Sequence, residues 1–120
     1  MTIHERQILN VTVLQLSGRI TLTDGTDLLQ ESLQRLVDEG RTQVVLDFQQ
    51  VPYVDSTAMA VIIRMHLRLS RQKQGRLKLV GVIGHVRELL TVTQLSSVFE
   101  IFDLEADAVA SFAQGATAPE

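Results

Sequence analysis

Short apolar runs rich in β-branched residues alternate with stretches of helical periodicity along this chain, and that alternation constrains the fold more than any other feature. Gln43-Val44-Val45-Leu46-Asp47-Phe48 is apolar at consecutive positions, the pattern of a strand buried on both faces. Leu77-Lys78-Leu79-Val80 has the same character, and Phe99-Glu100-Ile101-Phe102 gives a short last strand. Helical segments fall between them. Leu29, Leu33 and Leu36 share one stripe, with Glu31, Gln34, Arg35 and Asp38 away from it. A long helical pattern follows Asp55-Ser56 and stops at Gly75; Val86, Leu89, Leu90 and Thr93 recur at helical spacing; a small helix opens at Asp103. Upstream, Ile3 to Leu9 and Val11 to Ser17 read as an antiparallel hairpin turning at Asn10, its first strand polar enough for a sheet edge. The pattern predicts an α/β fold: a mixed, mostly parallel sheet of about five strands with an antiparallel first strand, covered by about four helices.

The chain's 120 residues suit one domain. We set it at residues 1–113, with a disordered tail over 114–120, where small residues and Pro119 dominate. Hydrophobic residues make up 45% of the chain, enough for a core without disulfides, and cysteine is absent. A net charge of −3 and an aromatic content of 4% argue against a nucleic-acid footprint or base-stacking platform. The N-terminal segment has no apolar stretch of signal-peptide type, and no run reaches membrane-spanning length, so a cytoplasmic protein without membrane insertion is expected.

Val54-Asp55-Ser56-Thr57-Ala58-Met59 is the most informative segment. It lies where a strand-to-helix connection ends, so Asp55 or Ser56 serves as an N-cap. A serine held at a helix N-terminus is also placed for phosphorylation, because phosphate there meets free N–H groups and the positive end of the helix dipole. Thr23 and Asp24 are candidate N-caps for the preceding helix.

Val44-Val45-Leu46-Asp47-Phe48 followed by Val51-Pro52-Tyr53-Val54-Asp55-Ser56-Thr57-Ala58-Met59 resembles the core signature of the STAS family. That family takes in cytoplasmic domains of sulfate transporters and bacterial anti-sigma factor antagonists. The resemblance spans nearly the whole chain, including Gly18-Arg19-Ile20, Gly75 to Val80, and Leu90 to Asp103. It implies an anti-sigma factor antagonist that works by partner switching. Ser56 would be the phosphoacceptor, with Asp55, Thr57 and Ala58 completing the motif. The partners would be an anti-sigma factor that is also a serine kinase, and a phosphatase. Two positions depart from the family pattern: Ala58 stands where glycine is usual, and Thr21 where many antagonists carry an acid, with Asp24 nearby. A STAS scaffold subunit of a stress-signalling or transporter-associated complex, without a phospho-switch, is the alternative. A small-molecule sensor is a third reading.

Helical geometry adds a second surface. Ala58, Val61, Ile62, Met65 and Leu69 form the core stripe of the long helix. Met59, Ile63 and Leu67 lie off it and read either as a docking patch beside Ser56 or as an extension of the core. Thr23 and Asp24 join them as candidate partner-binding residues. Arg64, Arg68 and Arg71 form a basic flank. A homodimer is compatible with these surfaces. No Gly-x-Ser-x-Gly elbow surrounds Ser56, and His66 is ten residues further along the same helix, on another face. His4, His66 and His85 lack metal-ligand spacing. Neither catalysis nor a cofactor or metal is expected.

Overall fold

The computed structural model describes the backbone of residues 1–117 and the side chains of residues 1–113. Five strands and four helices follow the predicted order: β1 (Thr2–Ile8), β2 (Val11–Ser17), α1 (Thr26–Asp38), β3 (Gln43–Gln50), α2 (Ser56–Ser70), β4 (Arg76–Val80), α3 (Gly84–Val92), β5 (Glu100–Phe102) and α4 (Glu105–Thr117). A single 3-10 turn, Leu95–Ser97, precedes β5. The strands lie in chain order across one sheet. β1 pairs antiparallel with β2, with Ile8 opposite Val11 at the hairpin, and all later pairs are parallel. The register of β2 on β3 shifts between Gln15 and Ser17. The α/β class, the mixed sheet and the helix number expected from the sequence are those observed.

Alternation along the strands divides the sheet into two faces. Leu14, Leu16, Val44, Leu46, Phe48, Leu77 and Leu79 join the apolar stripes of α1, α2 and α3 in the main core. Val11, Val13, Val45 and Val80 join Ala108 and Phe112 of α4 in a smaller core on the opposite face. Lys78 lies on that second face and is 4% exposed. Its Nζ reaches Ser111 Oγ at 2.6 Å and stands 4.3 Å from the Phe112 ring centroid, so the charge is buried with partners. The backbone of residues 114–117 continues α4, where the sequence pointed to a disordered tail; residues 118–120 of that expected tail lie outside the described residues.

The caps read from the sequence fare differently at the two long helices. At α1 neither Thr23 nor Asp24 caps. Thr21 and Asp24 instead exchange backbone hydrogen bonds at 2.8 and 3.1 Å. Gly25 takes the cap position at φ 95 with no side-chain cap. A Cβ at Gly25 would come within 2.7 Å of the Met1 side chain, so the tight loop selects glycine over a polar cap. At α2 the expected cap forms, and it builds the site.

Candidate functional site

Asp55 has extended backbone (φ −89, ψ 177), the usual N-cap geometry. Its Oδ1 accepts from the Ala58 N–H at 2.9 Å. Its Oδ2 accepts from the Leu22 N–H, also at 2.9 Å. One carboxylate therefore caps α2 and fastens the β2–α1 loop to it. Backbone bonds reinforce the junction: Ile20 N–H donates to Tyr53 O (3.0 Å), and Asp55 N–H donates to Ile20 O (3.1 Å). The Ala58 and Leu22 N–H groups, with a smaller contribution from Thr57, hold the Asp55 carboxyl below the usual carboxylate range.

Ser56 follows as the first residue of α2 and is exposed. Neither its hydroxyl nor its N–H has a protein partner among the described residues. Thr57 is half-buried. Thr23 and Asp24 are exposed in the loop that Asp55 fastens, and Asp24 Oδ1 accepts from the Met1 ammonium at 3.0 Å. The structure thus brings Asp55, Ser56, Thr57, Thr23 and Asp24 to one rim, at the C-terminal ends of the parallel strands, where open α/β sheets usually hold their functional groups.

The apolar residues proposed beside Ser56 separate. Met59 is 6% exposed and belongs to the main core, so its place on a docking patch is corrected. The physical reason is the width of the α2 stripe: Ala58, Met59, Val61, Ile62, Met65 and Leu69 are all buried, covering more of the helix than a narrow seam. Ile63 is half-buried against the same core. Leu67 is 48% exposed and remains available, three turns from Ser56. Ala58 is fully buried. Its methyl group, which stands where the family usually has hydrogen, points into the core and leaves the outer face of α2 unchanged.

Three residues of this rim were not legible in the sequence. The Tyr53 ring stacks on His85 with centroids 4.7 Å apart and planes 21° from parallel, and the Arg19 guanidinium lies 4.8 Å from the Tyr53 centroid. Leu22, in the β2–α1 loop, and Ile83, the N-cap of α3, are exposed. Tyr53 is covered by side chains from two distant segments, which no local pattern announces. His66 is remote from the rim. It packs on Phe99 (centroids 4.8 Å apart), with Nδ1 buried and without a partner among the described residues. Among the described residues no group of three or more His, Asp or Glu is placed to hold a metal ion, and no helix is long and apolar enough to cross a membrane.

The fold and this rim define a small α/β module with a capped, exposed helix start, and comparison with known proteins gives the family. The sequence profile of the STAS domain matches residues 2–108, and the chain belongs to that family. It is 33% identical over 84 residues to BtrV of Bordetella bronchiseptica, provisionally assigned as an anti-sigma factor antagonist; the match covers 70% of this chain and 72% of BtrV. Among solved structures, a Thermotoga maritima protein with the same provisional assignment superposes with a TM-score of 0.85 at 19% identity, covering 92% of this chain and 94% of that one. The phosphorylated form of the Bacillus cell-fate determinant SpoIIAA superposes with a TM-score of 0.71 at 14% identity, covering 92% and 98%. At these identities the two structures speak to the fold.

Proposed function

We propose that this chain is a cytoplasmic anti-sigma factor antagonist that acts by partner switching and catalyses no reaction itself. Unphosphorylated, it captures an anti-sigma factor that is also a serine kinase; phosphorylation of Ser56 ends the capture, and a phosphatase restores it. The observation that carries this reading is the placement of Ser56. It is exposed, it is the first residue of α2, and its hydroxyl has no protein partner among the described residues. Phosphate there adds roughly 1.5 to 2 negative charges at neutral pH. The N-terminal end of α2 offsets that charge, so the fold tolerates it while the electrostatics of the rim change. Membership of the STAS family and the likeness to BtrV support the same reading.

Asp55 gives the switch a mechanical link. Because its two oxygens serve α2 and the β2–α1 loop together, a charge added at Ser56 acts on a junction that also sets the position of Thr23 and Asp24. Partner contact across this rim, reaching down α2 to Leu67, is thereby coupled to the state of one hydroxyl. The buried methyl of Ala58 leaves the outer surface open to a partner.

The test is intact-mass and peptide-level analysis of the protein from its native cell, followed by titration of the kinase partner with wild type, Ser56→Asp and Ser56→Ala. Phosphate on Ser56, weakened capture by Ser56→Asp and retained capture by Ser56→Ala are the expected results. Equal affinity for all three would sink the switch and leave a STAS scaffold, with Ser56 only the residue after a cap.

A further inference from the structure

α1 and α2 lie side by side and run in the same direction. Arg64 Nη2 donates to Gln30 Oε1 at 3.4 Å, and four residues further along both helices Arg68 Nη1 donates to Gln34 Oε1 at 2.5 Å. The two helices are therefore in step. Away from the core, α1 exposes three acids, with Arg35 among them but already paired to Glu5 and Glu39, and α2 exposes three arginines beside the seam. Asp27, Glu31 and Asp38 line the outer face of α1 at helical spacing, and Arg64, Arg68 and Arg71 line the flank of α2 and its C-cap. All six are exposed. Among the described residues none of the six forms an ion pair, although Arg35 and Glu39 of the α1 region do. Gln30 and Gln34 stand between the rows and each accepts one guanidinium N–H, of Arg64 and Arg68 respectively, while Gln34 Nε2 donates to Asp38 Oδ1 at 2.9 Å.

We propose that this face binds a second copy of the chain about a two-fold axis lying along the helices. Such an axis places α1 of each copy over α2 of the other, in parallel and without shift along the helices. An axis across the helices would set acidic row against acidic row. The in-step register decides the match. Counting from the Gln30–Arg64 and Gln34–Arg68 pairs, Glu31 is level with Met65, between Arg64 and Arg68. Asp38 is level with Gln72, next to Arg71, and Asp27 lies within one turn of Arg64. Every acid of one copy meets an arginine of the other, and symmetry makes each contact twice. The second copy's α1 also covers Leu67, the exposed leucine on the crest of α2, so the dimer and the kinase partner compete for that end of the surface. Charge complementarity selects the same chain as occupant: an acidic partner would be repelled by the α1 row, and a basic one by the α2 row.

Exposed ion pairs are individually weak and screened by salt. The association is accordingly a weak, salt-sensitive dimer, measured by sedimentation equilibrium over a concentration series at low and high ionic strength. Wild type dimerises at low ionic strength and dissociates at high. Glu31→Arg and Arg68→Glu, both at exposed positions and checked for folding by circular dichroism, each weaken self-association by about tenfold or more, because like charges then face each other. An equimolar mixture of the two variants restores the dimer, since both contacts of the mixed pair are again opposite in sign. A wild type that stays monomeric at low ionic strength overturns the proposal. So does a dimer indifferent to either variant, or a mixture that behaves as the sum of its parts.

Discussion

Asp55 caps α2 and His66 lies within it, and the two respond to acid for opposite physical reasons. Asp55 is stabilised as a carboxylate by backbone N–H groups from two segments, so folding lowers its pKa from 3.8. Its contribution is present above that value and is lost as pH falls through the lower folded value. Asparagine offers a single amide oxygen and cannot serve both Ala58 and Leu22. The expected order of urea midpoints at neutral pH is wild type, then Asp55→Asn, then Asp55→Ala, with the asparagine variant showing the shallower acid limb. Burial lowers the pKa of His66 from 6.5. Glu100 on β5 opposes that shift, and Arg76 on β4 reinforces it. Here the unfolded chain takes up the proton first. His66 therefore contributes fully above about 6.5, and stability declines as pH falls from there towards the folded value. His66→Leu removes the polar Nδ1 that has no partner, and its stability profile is expected to be flatter across this interval.

At the scale of the element, α2 is fixed at both ends by its flanking residues and along its length by the core. Its start is the Asp55 cap. Its end is closed by the loop to Gly75, whose N–H donates to Gln72 O at 2.9 Å. A Cβ at Gly75 would lie 1.9 Å from the Leu69 carbonyl oxygen. Because that atom belongs to the backbone of the last helical turn, Gly75→Ala must displace the turn itself. Roughly 1–3 kcal/mol of destabilisation is expected, within the range of overpacked sites, read as a lower denaturation midpoint with unchanged slope. The fully buried Leu69 makes the same turn a core contact, so the displacement reaches the packing on β4. Helix α1 has the weaker start, with no side-chain cap. The fastening of Leu22 to Asp55 therefore does for the loop before α1 what a local cap does elsewhere.

For the molecule as a whole, the two faces of the sheet are unequally defended. Three helices cover the main core, while α4 supplies Ala108 and Phe112 to the smaller one and covers buried Lys78. Removing the chain from Leu104 onward is expected to expose Val11, Val13, Val45 and Val80, raising the fluorescence of an added hydrophobic dye and promoting aggregation. Undiminished solubility and no dye response would show that α4 is dispensable. The sequence by itself determined the order of elements, the parallel sheet, the capped start of α2 and the exposed serine after the cap. Each of these rests on periodicity or cap chemistry confined to a short segment. Tertiary structure alone decided that Met59 is core, that Gly25 displaces Thr23 and Asp24 as the start of α1, and that Arg19, Tyr53 and His85 form one stack. It also decided that the Asp55 carboxylate spans 33 residues to Leu22. These depend on which segments the sheet order sets side by side. The chain's local pattern constrains such neighbours only through the complete fold.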